Sequence, residues 1–567
     1  MENKLWTYTD IDLNKEEILS LESTLNVSKK IAKILILRGI KTFEQAKQFF
    51  RPGMDNIPDP FLMKNMELAV SALLEAVNSK QTILVYGDYD VDGTSSVTIL
   101  YKFLAKHSDH VMYYIPNRYK EGYGISKQGI DFAIDNKVNL ILTLDCGIKA
   151  HKTIQYAREN NINVIVCDHH LPETTLPNAI VLNPKQNDCA YPFKDLAGVG
   201  VTYKLIQGYC QKQGLPNSEY LRFLDFVALG TGADLVPLQG ENRAYVYHGL
   251  EKINNNPSRG IQSIIEVAKC KSPIVMKDIG FSIGPRINAA GRIGDASRIV
   301  DLFIAGDSKL EKELSTEISE ENLYRRELDQ QSTQEALSYL YSQAKETHAN
   351  VAFNANWNKG VIGIVASRVL DKIYKPTIIF TQSGDLLTGS ARSIQGFNIH
   401  DAISNCSEHV ESFGGHAFAA GMTVKPENLA KFKEAFEKQC GNISKDQLQP
   451  LLPIDLDINF YEMDSKFFRI LWQFEPFGML NPNPVFSTAE VKLKSKVTVM
   501  GTKHIRFTVY QENDPDNSFD VVGFNKIEHY ENIQSGKLMT ICYEPELNHW
   551  MGRSQIQLNL RDVKFQN

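Results

Sequence analysis

The chain has 567 residues, enough for about three to five domains of ordinary size. Apolar residues make up 43% and charged residues 23%, and no run of about 18 apolar residues occurs, which excludes a membrane-spanning helix and describes an ordinary globular chain. The formal net charge is −6, so bulk charge does not attract nucleic acid, and any such binding has to come from local basic patches.

The polar, acidic start MENKLWTYTDIDLNKEE is not a signal peptide. The eight cysteines are scattered without a C-x-x-C pair, which speaks against a zinc ribbon or a disulfide framework and for a reducing cytoplasm. Residues 1–75 read as a mostly helical segment. SKKIAKILILR (28–38) is apolar-periodic and stops at Gly39, and Phe43–Phe50 continues as a helix until Pro52. The connector PGMDNIPDPF follows, and no catalytic cluster lies in this part.

A catalytic domain is expected over 76–305. QTILVYGDYDVDGTSS (81–96) opens with a short apolar run and drops into Asp88, Asp90 and Asp92. Such a run reads as a buried parallel strand, and TSS can cap the helix expected over 97–106. A strand over 111–115 and a helix over 126–136 come next. NLILTLD (139–145) and NVIVCD (163–168) are two further buried strands, with a helix over 149–160 between them. One ends in Asp145 and the other in Asp168, His169 and His170. Strands alternating with helices predict a doubly wound parallel α/β sheet, which takes its ligands at the carboxyl ends of its strands. One acidic strand end is a solvated turn as readily as a ligand; three in succession point to metal. Asp234, between Ala233 and Leu235 in TGADLVPL, is expected to add a fourth contribution in preference to capping a helix.

GFSIGPRINAAGRIG (280–294) reads as a glycine-rich phosphate loop carrying Arg286, Asn288 and Arg292. Residues 306–347 then run about 40 positions almost free of Gly and Pro, a rigid connecting helix of about 60 Å with incomplete leucine stripes. A second α/β domain is expected over 348–445, with a strand at VAFNA, a helix over 361–373 and a strand over 377–381. Ser390 and Arg392 in GSARS, and Gly414, Gly415 and His416 in GGHAFAAG, read as loop residues offering polar contacts. Residues 450–567 turn to β: five strand runs at 489–499, 503–512, 518–524, 537–544 and 554–565 suit a five-stranded OB-type β-barrel. Lys492, Lys494, Lys496, Lys503 and Arg506, with Phe507, Tyr510, Phe524 and Tyr543, make a basic and aromatic set suited to single strands, although each aromatic is more readily barrel core.

Carboxylates with histidines and no thiolate suit Mn²⁺ or Mg²⁺. Five or more acids exceed the needs of one ion, so two are expected, an arrangement that serves in-line phosphodiester hydrolysis. No Lys follows Gly93, so there is no Walker A loop.

YGDYDVDGTSS, TLDCG, VCDHH and GTGADLVPL resemble the four motifs of the DHH phosphoesterases, and GSARS with GGHAFAAG resemble those of the associated DHHA1 domain. With GPRINAAGR and the terminal barrel, the chain is similar to the branch that degrades single-stranded DNA from 5′ to 3′ in repair and recombination. The resemblance implies that Asp88, Asp90, Asp92, Asp145, His169 and Asp234 hold the two metals, with His170 beside them. It implies that Arg286, Arg292, Ser390, Arg392 and His416 grip phosphates, and that Arg118 and Tyr123 lie near the 5′ end. Many smaller DHH enzymes have a ligating His where this chain has Tyr86, which makes Asp88 the substitute. A monomer acting with single-strand-binding protein and a RecQ-type helicase is expected from the family alone. The rival readings are a small-substrate phosphoesterase, which would not need the barrel, and a silent scaffold, which would be expected to lose metal carboxylates.

Overall fold

The computed structural model describes residues 4–9, 13–343, 347–550 and 553–566. The chain divides into two units, one of Pro58–Val236 with His248–Pro450 and one of Lys4–Ile57, Pro237–Tyr247 and Leu451–Asn567.

In the first unit, five parallel strands lie in the order Val111–Tyr114, Ile83–Gly87, Leu140–Leu144, Asn163–Cys167, Ile180–Leu182. The two central strands are buried at every position, because helices cover both faces; that is why they read as unbroken apolar runs. Ile180–Leu182 has only three residues, too few for a periodic signal, and the sequence reading missed it.

The connecting helix spans Ser308–Tyr341, and its expected end at 344–346 lies outside the described residues. The stripe it buries is largely polar: Glu311, Ser315, Asn322, Arg325, Asp329 and Ser332, with Ile318 and Ala336. That is why its leucine pattern is broken.

The second sheet has the order Ser412–His416, Ala419–Val424, Leu386–Arg392, Thr377–Ser383, Asn350–Phe353, with only the last pair parallel. Two readings need correction here. The segments carrying Ser390, Arg392 and Gly414–His416 are strands, not loops. The 280–294 segment is a π-helical turn, Ile279–Ile283, running into the helix Gly284–Ile293. Pro285 sits in the first turn of that helix, where its missing N–H costs nothing. Its glycines serve close packing: a Cβ at Gly291 would lie 2.5 Å from the Tyr89 carbonyl oxygen.

In the second unit, strands Phe486–Leu493, Met539–Trp550, Arg553–Phe565, Asp514–Gly523 and His504–Gln511 pair in turn, and the last returns to the first, closing the barrel. The N-terminal segment starts with a strand, not a helix: Leu5–Tyr8 pairs in parallel with Leu451–Ile454. Ile31, Leu35 and Phe49 share one core with Phe467, Phe474 and Phe486. Arg243 fastens this junction by donating to the carbonyls of Phe49, Phe474, Glu475 and Pro476 while lying 3.8 Å over the Phe49 ring.

Candidate metal centre

The strand ends deliver the acids to one place. Asp88 follows Ile83–Gly87 directly. Asp90 caps the helix Val91–Leu104, its Oδ1 accepting from Gly93 N at 2.9 Å. Asp92, in the first turn of that helix, accepts from Gly198 N at 2.6 Å and Val199 N at 2.8 Å, so it also caps the helix Gly198–Gln213. Position 198 needs glycine, since a Cβ there would stand 2.6 Å from Asp145 Oδ1. Asp145 ends its strand at φ +58°, a left-handed conformation that non-glycine residues adopt at a cost of order 1–3 kcal/mol. Asp234 is the C-cap of the helix Leu224–Ala233.

Three donor groups result, in each of which one ligand atom per residue lies within 4.8 Å of the others: Asp88, Asp90 and Asp145; Asp92, His169 and Asp234; and Asp145, His169 and His170. His169 Nε2 stands 3.2 Å from Asp145 Oδ1 and 3.5 Å from Asp234 Oδ2. Burial, with His170 beside it, pushes the His169 pKa down to about 3, so at neutral pH its ring is uncharged. Burial and the neighbouring carboxylates push Asp92 up to about 7 and Asp234 up to about 9, and hold Asp88 and Asp145 well above the usual carboxylate range. Asp88 Oδ1, Asp145 Oδ1 and His169 Nε2 are buried and make no hydrogen bond. Orphaned donors among mutually repelling acids are what divalent cations satisfy, so the residues fit the expected metals.

Asp168 has a different task, which the sequence reading passed over. It accepts from Ile148 N, His169 N and His170 N at 2.9, 2.7 and 3.0 Å, and from His170 Nδ1 at 2.7 Å. Burial works against its charge, but the His170 hydrogen bond, the His170 charge and the backbone donors outweigh it and bring its pKa down to about 2. A carboxylate so fully engaged orients His170 rather than ligating. The available signal was an acid directly preceding two histidines at a strand end. His170 Nε2 lies 3.2 Å from the Tyr123 hydroxyl. Tyr86 is buried away from the acids, its hydroxyl bonded to Gly124 O and Ser126 N, and so takes no ligand role.

Beside the acids lies a group of arginines. Arg118 sits 5.1 Å over the Tyr89 ring, and Tyr123, 59% exposed, meets Tyr89 edge-on at 6.4 Å. Arg292 Nη1 donates to Gly360 O at 3.2 Å, and Tyr119 ties the same place through Arg292 O and Asn358 Oδ1. Burial, then the charges of Arg118, Arg325 and Arg392, depress Arg292 to about 10. Arg392 donates to Ser367 Oγ, Ser390 Oγ and Ala391 O. Asn288 spends its Oδ1 on Val91 N and so braces the metal-site helix. Arg286 bonds Ser282 O and Ser319 Oγ instead, and the arginine whose charge bears on it is Arg326.

Register puts Arg392, Ala419 and His416 on one cross-strand rung, and Ser390, Gly421 and Gly414 on the next. These six share one face, so exposed His416 lies roughly 10 Å from Arg392, two strand spacings away. Gly415 points to the opposite face, at φ +147°.

On the barrel, Phe507 and Tyr543 are core. Lys492 pairs with Glu512 and Arg506 with Asp520. Phe524 (51% exposed) against His504, with exposed Lys496 and Lys503, is what the basic and aromatic set keeps for a ligand.

Three family models match the chain: the DHH family N-terminal domain over residues 82–231, the DHHA1 domain over 337–442 and the RecJ OB domain over 454–562. The single-stranded-DNA-specific exonuclease RecJ of Bacillus subtilis is 35% identical over 556 residues, covering 97% of this chain and 70% of that protein. Its Escherichia coli counterpart is 32% identical over 530 residues, covering 88% and 90%. Among solved structures, RecJ of Thermus thermophilus in complex with Mn²⁺ superposes with a TM-score of 0.83 at 25% identity, covering 99% of this chain and 80% of that one. An exonuclease RecJ bound to manganese matches at a TM-score of 0.60 and 31% identity, covering 67% and 96%.

Proposed function

The chain belongs to the RecJ family of single-stranded-DNA-specific exonucleases, and on that premise we propose how this metal-dependent phosphodiesterase divides its work among its residues. Asp88, Asp90, Asp92, Asp145, His169 and Asp234 hold two Mn²⁺ or Mg²⁺ ions. The observation that carries this is the buried, unbonded state of Asp88 Oδ1, Asp145 Oδ1 and His169 Nε2 where three strand ends meet. Bound there, such ions supply a nucleophile near neutral pH and stabilise the charge of the displaced oxygen.

The protein's own groups do the rest. Asp168 fixes the tautomer of His170, which leaves Nε2 facing the metal-site carboxylates and Tyr123. Burial opposes protonation of His170, while the Asp168 hydrogen bond and charge favour it and raise its pKa; its Nε2 serves to exchange a proton with a phosphate oxygen. Arg118, Arg292, Ser390 and Arg392 take the terminal phosphate and thereby set 5′→3′ polarity. Tyr123, exposed beside Tyr89, receives the end base. His416 and the Gly414–Gly421 face carry the strand away, and Phe524 with Lys496 and Lys503 adds a stacking and phosphate contact on the barrel.

The test is degradation of a long 5′-labelled strand against a dinucleotide, with and without Mn²⁺. Metal-dependent release of mononucleotides from the labelled end of the long strand supports the reading. Preference for the dinucleotide would favour the small-substrate phosphoesterase, and binding without hydrolysis a scaffold. From the family we also infer a cytoplasmic role in repair and recombination beside single-strand-binding protein and a RecQ-type helicase, which co-elution of purified components would test.

A further inference from the structure

The arginine group has a charge problem that no motif announced. Arg118, Arg292 and Arg392 make no ion pair among the described residues. Asp88 feels the charge of Arg118, and on the other side of the group the charge of Arg292 bears on Asp329, in the middle of the connecting helix and fully buried. Asp329 takes Arg325 Nη1 at 3.0 Å from its own helix and ion-pairs with Arg368 of the helix Ile362–Lys372. Arg325 also donates to Asn322 Oδ1 at 2.8 Å. Ser367, adjacent to Arg368, accepts from Arg392 Nε at 3.2 Å. The chain of contacts therefore runs from Arg325 through Asp329 and Arg368 to the backbone that seats Arg392. Arg325 and Arg368 share this one carboxylate, the charges of Arg326 and Arg292 also bear on it, and the positive surplus sits where the terminal phosphate is proposed to bind.

We propose that Asp329 is a positioning residue for the exonuclease reaction: it holds Arg325 and Arg368 apart from Arg292 and Arg392, so the cluster keeps the spacing and the surplus charge that a terminal phosphate dianion neutralises. This rests on the terminal-phosphate reading given above. Without the carboxylate, Arg325 and Arg368 repel each other and Arg292, and the guanidiniums splay. Long-range attraction for DNA then rises while the phosphate is misplaced, so kcat falls and KM does not rise. An ordinary structural ion pair predicts something else: its loss lowers the folded fraction and reduces activity on every substrate alike.

The experiment uses the full-length protein at saturating Mn²⁺ and compares kcat/KM for a 5′-phosphorylated and a 5′-hydroxyl oligonucleotide. Asp329→Asn is expected to lower the phosphate-to-hydroxyl ratio by about tenfold or more through kcat. Adding Arg368→Gln restores the charge balance and is expected to recover the ratio to within about threefold of wild type. A wild-type ratio well above one that survives Asp329→Asn overturns the inference, as does a double variant no better than the single one. A wild-type ratio near one overturns the terminal-phosphate reading and this inference with it. If Asp329→Asn does not fold, Arg368→Gln decides alone, because that side chain is 42% exposed. A phosphate-to-hydroxyl ratio lowered through kcat supports the proposal, because the contact from Asp329 to the backbone that seats Arg392 is then broken; an unchanged ratio, or a change in KM alone, overturns it.

Discussion

Replacing Asp234 with Asn should stabilise the metal-free protein while destroying its activity. The carboxyl's pKa rises from 3.8 in an unfolded chain to about 9 in the fold, first through burial and then through Asp92 and Asp90. The folded state therefore binds a proton that the unfolded state releases, and folding becomes less favourable as pH climbs from 3.8 towards 9. Each unit is worth about 1.4 kcal/mol, so the penalty is about 2 kcal/mol at pH 5 and about 6 kcal/mol at pH 8. These are upper bounds, because neighbouring acids relax when one charge is removed; about half is a fair expectation. Asn keeps the shape and carries no charge, so the variant should melt a few degrees above wild type in EDTA at pH 8, and the gap should shrink towards pH 5. Mn²⁺ titrations should show the reverse order, with wild type gaining much more in Tm than the variant. Equal melting temperatures at pH 8, or a gap that does not grow with pH, would refute the electrostatic account; full turnover by the variant would remove Asp234 from the metal centre.

Asp145→Ala should fold and lose nuclease activity at saturating Mn²⁺, and near-normal turnover would move the centre elsewhere. Asp168→Asn should destabilise instead: the Asp168 pKa lies at about 2 against 3.8 unfolded, so its stabilisation is present above pH 3.8 and is lost as pH falls through 2. Removing it costs about 2 kcal/mol at pH 7 by urea denaturation, and kcat should fall by about 10- to 100-fold as His170 loses its orientation. Arg392→Ala should abolish the advantage of a 5′-phosphorylated over a 5′-hydroxyl strand with Mn²⁺ binding unchanged, and Arg392→Lys should rescue only part of it, since a point charge replaces a fork. Lys503→Ala with Phe524→Ala should weaken binding of long strands and flatten its salt dependence while sparing short ones, measured by fluorescence anisotropy across a salt series. These two surface positions test the barrel better than its deletion, which would strip the partner strand from Leu5–Tyr8 and uncover Ile31, Leu35 and Phe49.

The catalytic sheet was legible because its signals are local. Buried parallel strands are continuous apolar runs, and an acid after such a run can lie only at the sheet's carboxyl edge. Asp88, Asp145 and His169 were found that way, and Asp234 by its apolar neighbours. What escaped depends on partners far away in sequence. The glycines of 280–294 and of GSARS (389–393) suggested loops, yet Gly291 is small because the Tyr89 backbone passes over it, and Gly389 because the Phe380 ring occupies the space a Cβ would need. Asp168 looked like one more ligand or none, since nothing in its neighbourhood tells that three backbone N–H groups and a ring nitrogen already hold it. Asp329 gave no signal at all. An acid four residues after an arginine on a charged helix is an ordinary surface pair, until both are buried.

The charge arrangement explains how a chain with net charge −6 handles a polyanion. The acids of the proposed metal centre repel one another, and burial with that repulsion raises their pKa values. The guanidiniums alongside attract phosphate whatever occupies the acids, so on the proposed assignment capture of a strand end and hydrolysis of its bond fall to different residues. Tyr89 joins the two halves. Its backbone lies between Asp88 and Asp90, its ring carries Arg118, and its carbonyl packs on Gly291, one residue before Arg292. On the proposed assignment, one turn thus links the terminal-phosphate residues to the acids. An error of about 1 Å in placing a reacting group costs about a hundredfold in rate. That sensitivity is reason enough for one aromatic residue, set among the carboxylates, to carry the arginine of the terminus site.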